Sequence, residues 1–82
     1  MGTFLGVHDM GASLSEDEFK ASWEAYKLAC NKLGCSAQHV HYNAEKGRGF
    51  CLTEASSSDE VQKAHDEAGV PLVEILEVKT RE

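Results

Sequence analysis

An α+β sandwich with the element order β-α-β-β-α-β is what this chain predicts, and three observations predict it. Two stretches carry helix start and stop signals, and four short runs alternate apolar and polar residues as strands do. All six pieces fit, in that order, within 82 residues, the length of a single small domain spanning 1–82. The usual solution of that order is the split βαβ, ferredoxin-like arrangement: a four-stranded antiparallel sheet with both helices on one face.

The first strand is TFLGVH (3–8), with Leu5 and Val7 on one face and Phe4, Gly6 and His8 on the other. DMGASLS is a loop. LSEDEF then opens a helix, because Ser15 at the N-cap and Glu18 three residues on form a capping box. Leu14 and Phe19 stand at the positions of a hydrophobic staple, and the acids of the first turn suit the helix dipole. Phe19, Trp23, Tyr26, Cys30 and Leu33 recur at steps of four and three, which draws one buried stripe, and Gly34 supplies the left-handed stop. Leu28 falls on the other side, exposed or against a partner.

AQHVHYN (37–43) is the second strand, with Val40 and Tyr42 facing one way and His39 and His41 the other. AEKGRG is a turn in which Gly47 takes positive φ, and FCLTEA (50–55) is the third strand. SSSDEVQKAHDEAG repeats the helix signals: Ser57 with Glu60 as a capping box, a stripe of Val61, Ala64, His65 and Ala68, and Gly69 as the stop with Pro71 beyond it. VEILEV (73–78) is the last strand.

Eight basic against fourteen acidic residues give a net charge of −6, which argues against nucleic acid as a partner. The longest apolar run is too short to span a bilayer, and no basic segment leads a hydrophobic core at the N-terminus, so no membrane and no secretory signal are expected. Three cysteines without a C-x-x-C then read as reduced thiols in the cytoplasm. A domain of this size buries only roughly 60% of its unfolded surface. An apolar sheet face left bare by both helices is therefore expected to close against a second copy, giving a homodimer.

The residues able to carry chemistry are His8, His39, His41, Cys51, Glu54 and His65. Neutral imidazole and thiolate suit nickel, zinc, copper or iron, and a carboxylate adds charge to the coordination shell. His39 and His41 project roughly 7 Å apart on one side of a strand rising about 3.3 Å per residue. That spacing allows two imidazoles to reach one ion without making a site by itself. Plainer readings stand beside it: His8 as a polar residue at a sheet edge, His41 as solvent-facing, His65 as a backbone-bonded structural histidine. Cys30 reads as a small hydrophobe, Cys35 as incidental, and Trp23 and Tyr26 as core. Cys51 with a histidine would make a nucleophile and base, but no oxyanion loop or orienting third group accompanies them.

F-x-x-V-H (Phe4 to His8), a histidine eleven residues before F-C-L-x-E, V-Q-x-x-H-x-x-A-G and a closing E-V together resemble a family of small bacterial ferredoxin-like proteins, formerly of unknown function. One branch of it is nickel-binding, and the family is similar to the dimeric α/β-barrel superfamily. The resemblance runs from Phe4 to Val78 and implies a metal set of His8, His39, Cys51, Glu54 and His65, with His41 a bystander where the family tends to an aromatic residue. It also implies a departure, since the nickel-binding branch carries a histidine where this chain has Trp23. If that histidine is a ligand, this chain's metal or affinity differs, unless His41 compensates.

In the ferredoxin-like order the first and third strands are neighbours, so His8 is expected near Cys51 or Glu54, with His39 on the strand beside. His65 is expected on the opposite side, joining only at a sheet end or a dimer contact. The leading reading is a homodimer that binds Ni2+, or Zn2+ or another divalent transition metal, for buffering or sensing rather than turnover. The alternative is a dimeric α/β-barrel enzyme or ligand-binding module with an organic substrate in the dimer cavity, for which an apolar cavity lined by Phe4, His8 and Tyr42 would be the sign. Ligand imidazoles must be neutral, so nickel uptake is expected to weaken below roughly pH 6 to 6.5.

Overall fold

The computed structural model describes residues 1–82. Its elements are β1 (Gly2–Asp9), α1 (Glu16–Leu33), β2 (Ser36–Asn43), β3 (Arg48–Ala55), α2 (Ser58–Ala68) and β4 (Glu74–Val78). The sheet order is β2-β3-β1-β4 with every neighbouring pair antiparallel, which is the ferredoxin-like arrangement. No helix is long and apolar enough to cross a membrane.

The ends of the helices form for the reasons the sequence suggests. Ser15 Oγ accepts from the Glu18 N–H at 3.1 Å and Glu18 returns a carboxylate oxygen to the Ser15 N–H at 3.2 Å. At α2 the box is only half made. Ser57 accepts from the Glu60 N–H, but Glu60 reaches back to the N–H of Ser56, one residue earlier than the motif requires. Gly34 and Gly69 adopt left-handed φ of 86° and 72° and end their helices. The N–H groups of Gly34 and Cys35 both donate to the Cys30 carbonyl, so Cys35 folds back onto the last turn of α1. Cys35, expected to be incidental, is therefore buried against the core.

Strand pleating divides the side chains between two faces. Phe4, Gly6 and His8 of β1 and Gly49, Cys51, Thr53 and Ala55 of β3 are buried beneath the helices. They meet Tyr26, Ala29 and Cys30 of α1 and Val61, Ala64 and His65 of α2. Trp23 and Leu33 are only partly buried, Ala29 takes a core position, and Leu28 is exposed. The buried Tyr26 hydroxyl is hydrogen-bonded to Thr53 Oγ1, which ties α1 to the centre of the sheet. Tyr26→Phe is expected to cost about 1–3 kcal/mol in urea unfolding, because the Thr53 hydroxyl loses its partner in a dry core. Adding Thr53→Val should recover most of that loss, since the pair is then removed together.

The other sheet face is uncovered. Registered rows cross it as His39–Leu52–Leu5–Leu76 and His41–Phe50–Val7–Glu74, an apolar centre with two histidines along the β2 edge. Phe50 and Leu76 are among the exposed large hydrophobic residues.

Candidate metal centre

Three donors converge between the sheet and α2. His8 stands near the end of β1 and Cys51 in the middle of β3, both facing the helices; His65 descends from the last turn of α2. His8 Nε2 lies 3.2 Å from Cys51 Sγ, and Cys51 Sγ lies 3.4 Å from His65 Nε2. All three donor atoms fall within 4.8 Å of one another, and all three residues are buried. The chain comes this close because β1 has glycine at position 6, opposite Cys51 in register. A methyl there would stand 2.8 Å from Cys51 Sγ and 3.6 Å from His65 Cε1.

Each imidazole is oriented by a backbone carbonyl. His8 Nδ1–H donates to Pro71 O at 2.8 Å, and His65 Nδ1–H donates to Val61 O at 2.8 Å. Carbonyls only accept, so the proton of each neutral ring sits on Nδ1 and both Nε2 lone pairs face the sulfur. The cluster thus holds two nitrogen acceptors and one sulfur, with a single S–H to share. One Nε2 has no proton to accept, a mismatch that a cation resolves. A carbonyl on the far nitrogen is also the usual support of a metal-binding histidine. Bonds of about 2.0 Å to nitrogen and about 2.3 Å to sulfur, at tetrahedral angles, put the two donors about 3.5 Å apart, close to the spacings seen.

Burial fixes the electrostatics. It lowers the pKa of His8, against the opposing hydrogen bond to Pro71, and pulls that of His65 down to about 4, against the bond to Val61. Burial likewise pushes the Cys51 thiol up to about 11. Without a cation the thiol stays protonated at neutral pH, so Cys51 is not an activated nucleophile.

A small cavity adjoins the cluster, lined by His8, Met10, Trp23, Tyr26, Cys51 and His65 among others. About 20 Å³ of it is open to the centre of a water-sized sphere, room for about one water and far below the roughly 300–1,000 Å³ of organic-ligand pockets. Neither Phe4 nor Tyr42 lines it. Trp23, where the resemblance implies a histidine, contributes an indole wall.

His39 and Glu54 stand apart from these three. Cys51 and Glu54 are an odd number of residues apart on one strand, so the pleat turns Glu54 to the uncovered face. His39 is turned by a β-bulge: Ala37 pairs with Thr53 but His39 pairs with Leu52, and Gln38 is passed over. Without that extra residue His39 would oppose Cys51. On the uncovered face its ring instead meets His41, centroids 5.0 Å apart. His65, expected on the opposite side from His8 and Cys51, joins them because those two residues face the helix layer. Met10 and the orienting carbonyls of Val61 and Pro71 escaped the sequence reading. The spacing of His8 and Met10, two residues apart, was the available signal for Met10, whereas the carbonyls become partners only through tertiary packing.

Fold and cluster together define a ferredoxin-like domain with a buried constellation of two histidines and a cysteine suited to a transition metal. The chain belongs to the SCO4226-like family of nickel responsive proteins, whose family model matches residues 4–78. Among solved structures it is similar to SCO4226 from Streptomyces coelicolor A3(2), at 24% identity and a TM-score of 0.88, over 98% of this chain and 99% of that one. No curated protein matches it.

Proposed function

We propose that this chain is a transition-metal-binding protein that holds its ion on His8 Nε2, Cys51 Sγ and His65 Nε2, nickel being the first candidate from the family's description, and serves in buffering or sensing. The observation that carries this reading is the proton mismatch: two carbonyl-oriented imidazoles present lone pairs to a single buried thiol. A bound cation supplies the positive charge that lets Cys51 ionise inside the core. The residues themselves fix direction and exclude water. A thiolate ligand needs a reducing compartment, which favours the cytoplasm. The uncovered apolar face supports a homodimer, and in that dimer His39, His41 and Glu54 would lie at or near the contact rather than at this site.

Native mass spectrometry of demetallated protein with increasing Ni2+ tests the reading. One ion per chain is expected, lost in Cys51→Ala and in His65→Ala and kept in His39→Ala. Uptake that survives Cys51→Ala but disappears in His39→Ala would move the site to the uncovered face and end this assignment.

A further inference from the structure

Resting on the same three ligands, we propose that Met10 completes the centre as a fourth donor and that the completed site, two imidazoles with a thiolate and a thioether, takes copper(I) in preference to a divalent ion.

Met10 lies two residues beyond His8, just past the end of β1, and lines the cavity that the cluster opens into. Its backbone is anchored: the Met10 N–H donates to the Gly47 carbonyl at 2.7 Å, at the foot of the β2–β3 turn. Met10 is therefore held at the wall of the cavity by a fixed stretch of backbone.

Charge balance favours a monovalent ion. The cavity is lined by imidazole, thiol, thioether, hydroxyl, aromatic and aliphatic groups, with no carboxylate among them. One thiolate cancels one positive charge, so copper(I) gives a neutral centre. Nickel(II) or zinc(II) would leave a net positive charge buried without a partner, and such a charge is costly in a low-dielectric core. Coordination number points the same way. With room for about one water beside the donors, the site cannot complete an octahedron, whereas a closed-shell copper(I) ion is content with three or four ligands. Softness agrees as well, since thiolate and thioether are the donors that select copper(I). The sequence hides this because Met10 falls in what reads as a loop and supplies no ionisable group.

The test uses full-length demetallated protein under anaerobic, reducing conditions, with copper(I) delivered from a chromophoric copper(I) chelator in competition. Wild type is expected to withdraw one copper(I) per chain and to keep it against excess Ni2+. Met10→Leu should weaken copper(I) binding by about tenfold or more. X-ray absorption at the copper edge of the wild type gives a readout that needs no variant: two sulfur neighbours are expected. One sulfur neighbour, or displacement of copper(I) by Ni2+, would overturn the proposal. Stoichiometric nickel uptake without copper preference would refute it and leave the three-ligand reading intact, whereas failure to bind either metal would remove both.

Discussion

Gly6→Ala is expected to abolish metal uptake and to destabilise the metal-free fold by about 1–3 kcal/mol. Position 6 is opposite Cys51 on β3, and an added methyl would lie 2.8 Å from Cys51 Sγ and 3.1 Å from Leu72 Cδ2. The sulfur contact is shorter than a real Cβ tolerates, whereas the Leu72 methyl has to give by only a few tenths of an ångström, and Cys51 sits on a central strand that cannot retreat. The sulfur must turn away, and with it goes the point on which His8 Nε2 and His65 Nε2 converge. A loss of more than about 100-fold in metal affinity is the expected size, because the whole donor geometry is disturbed rather than one support. Calorimetric metal titration, alongside urea unfolding of the demetallated protein, measures both effects. Unchanged affinity in a folded Gly6→Ala protein would show that Cys51 is not a ligand.

The metal-free protein should also lose stability steeply in mild acid. His65 has a folded pKa of about 4, below its unfolded value of about 6.5, so between these pH values the unfolded chain binds the extra proton. The contribution of neutral His65 is thus complete above pH 6.5 and is lost as pH falls toward 4. It amounts to roughly 3 kcal/mol, a large share of what a domain of this size has to spare. His8, also lowered by burial, acts in the same direction. Urea midpoints across pH 4 to 8 should fall below pH 6.5; a flat profile would mean that His65 is solvated and free to ionise. The same shift bears on the expectation that nickel uptake weakens below roughly pH 6 to 6.5. Burial lowers the pKa of both imidazoles, His65 to about 4, so proton competition for them moves to lower pH, while the Cys51 thiol, raised to about 11, must give up its proton to bind, so affinity still falls as pH drops.

The fold was legible because its signals are local. Ser15 with Glu18, the glycines at 34 and 69, and alternation in FCLTEA each act within a few residues, and the structure places the six elements as read. Cys51 and Glu54 could have been separated by counting along the strand. Alternation set His39 with His41 opposite Val40 and Tyr42, as the structure has it, but the placing of that pair away from Cys51 depends on a bulge at Gln38 that no side chain announces. Burial of Cys35 depends on how the chain leaves α1, a matter of two hydrogen bonds to one carbonyl. Convergence of His65 with His8 required knowing which side of β1 the helices cover, and periodicity marks two faces without saying which is in.

The three donors also belong to distant parts of the chain: His8 and Cys51 are 43 residues apart, and Cys51 and His65 are 14 apart. An ion gripping all three in the folded state would act as a removable cross-link, tying first strand, third strand and second helix into one unit. Its effect on folding grows with the logarithm of the free metal concentration. The lifetime of such a small domain against proteolysis would then follow the metal supply, making persistence of the chain itself a record of how much ion was present.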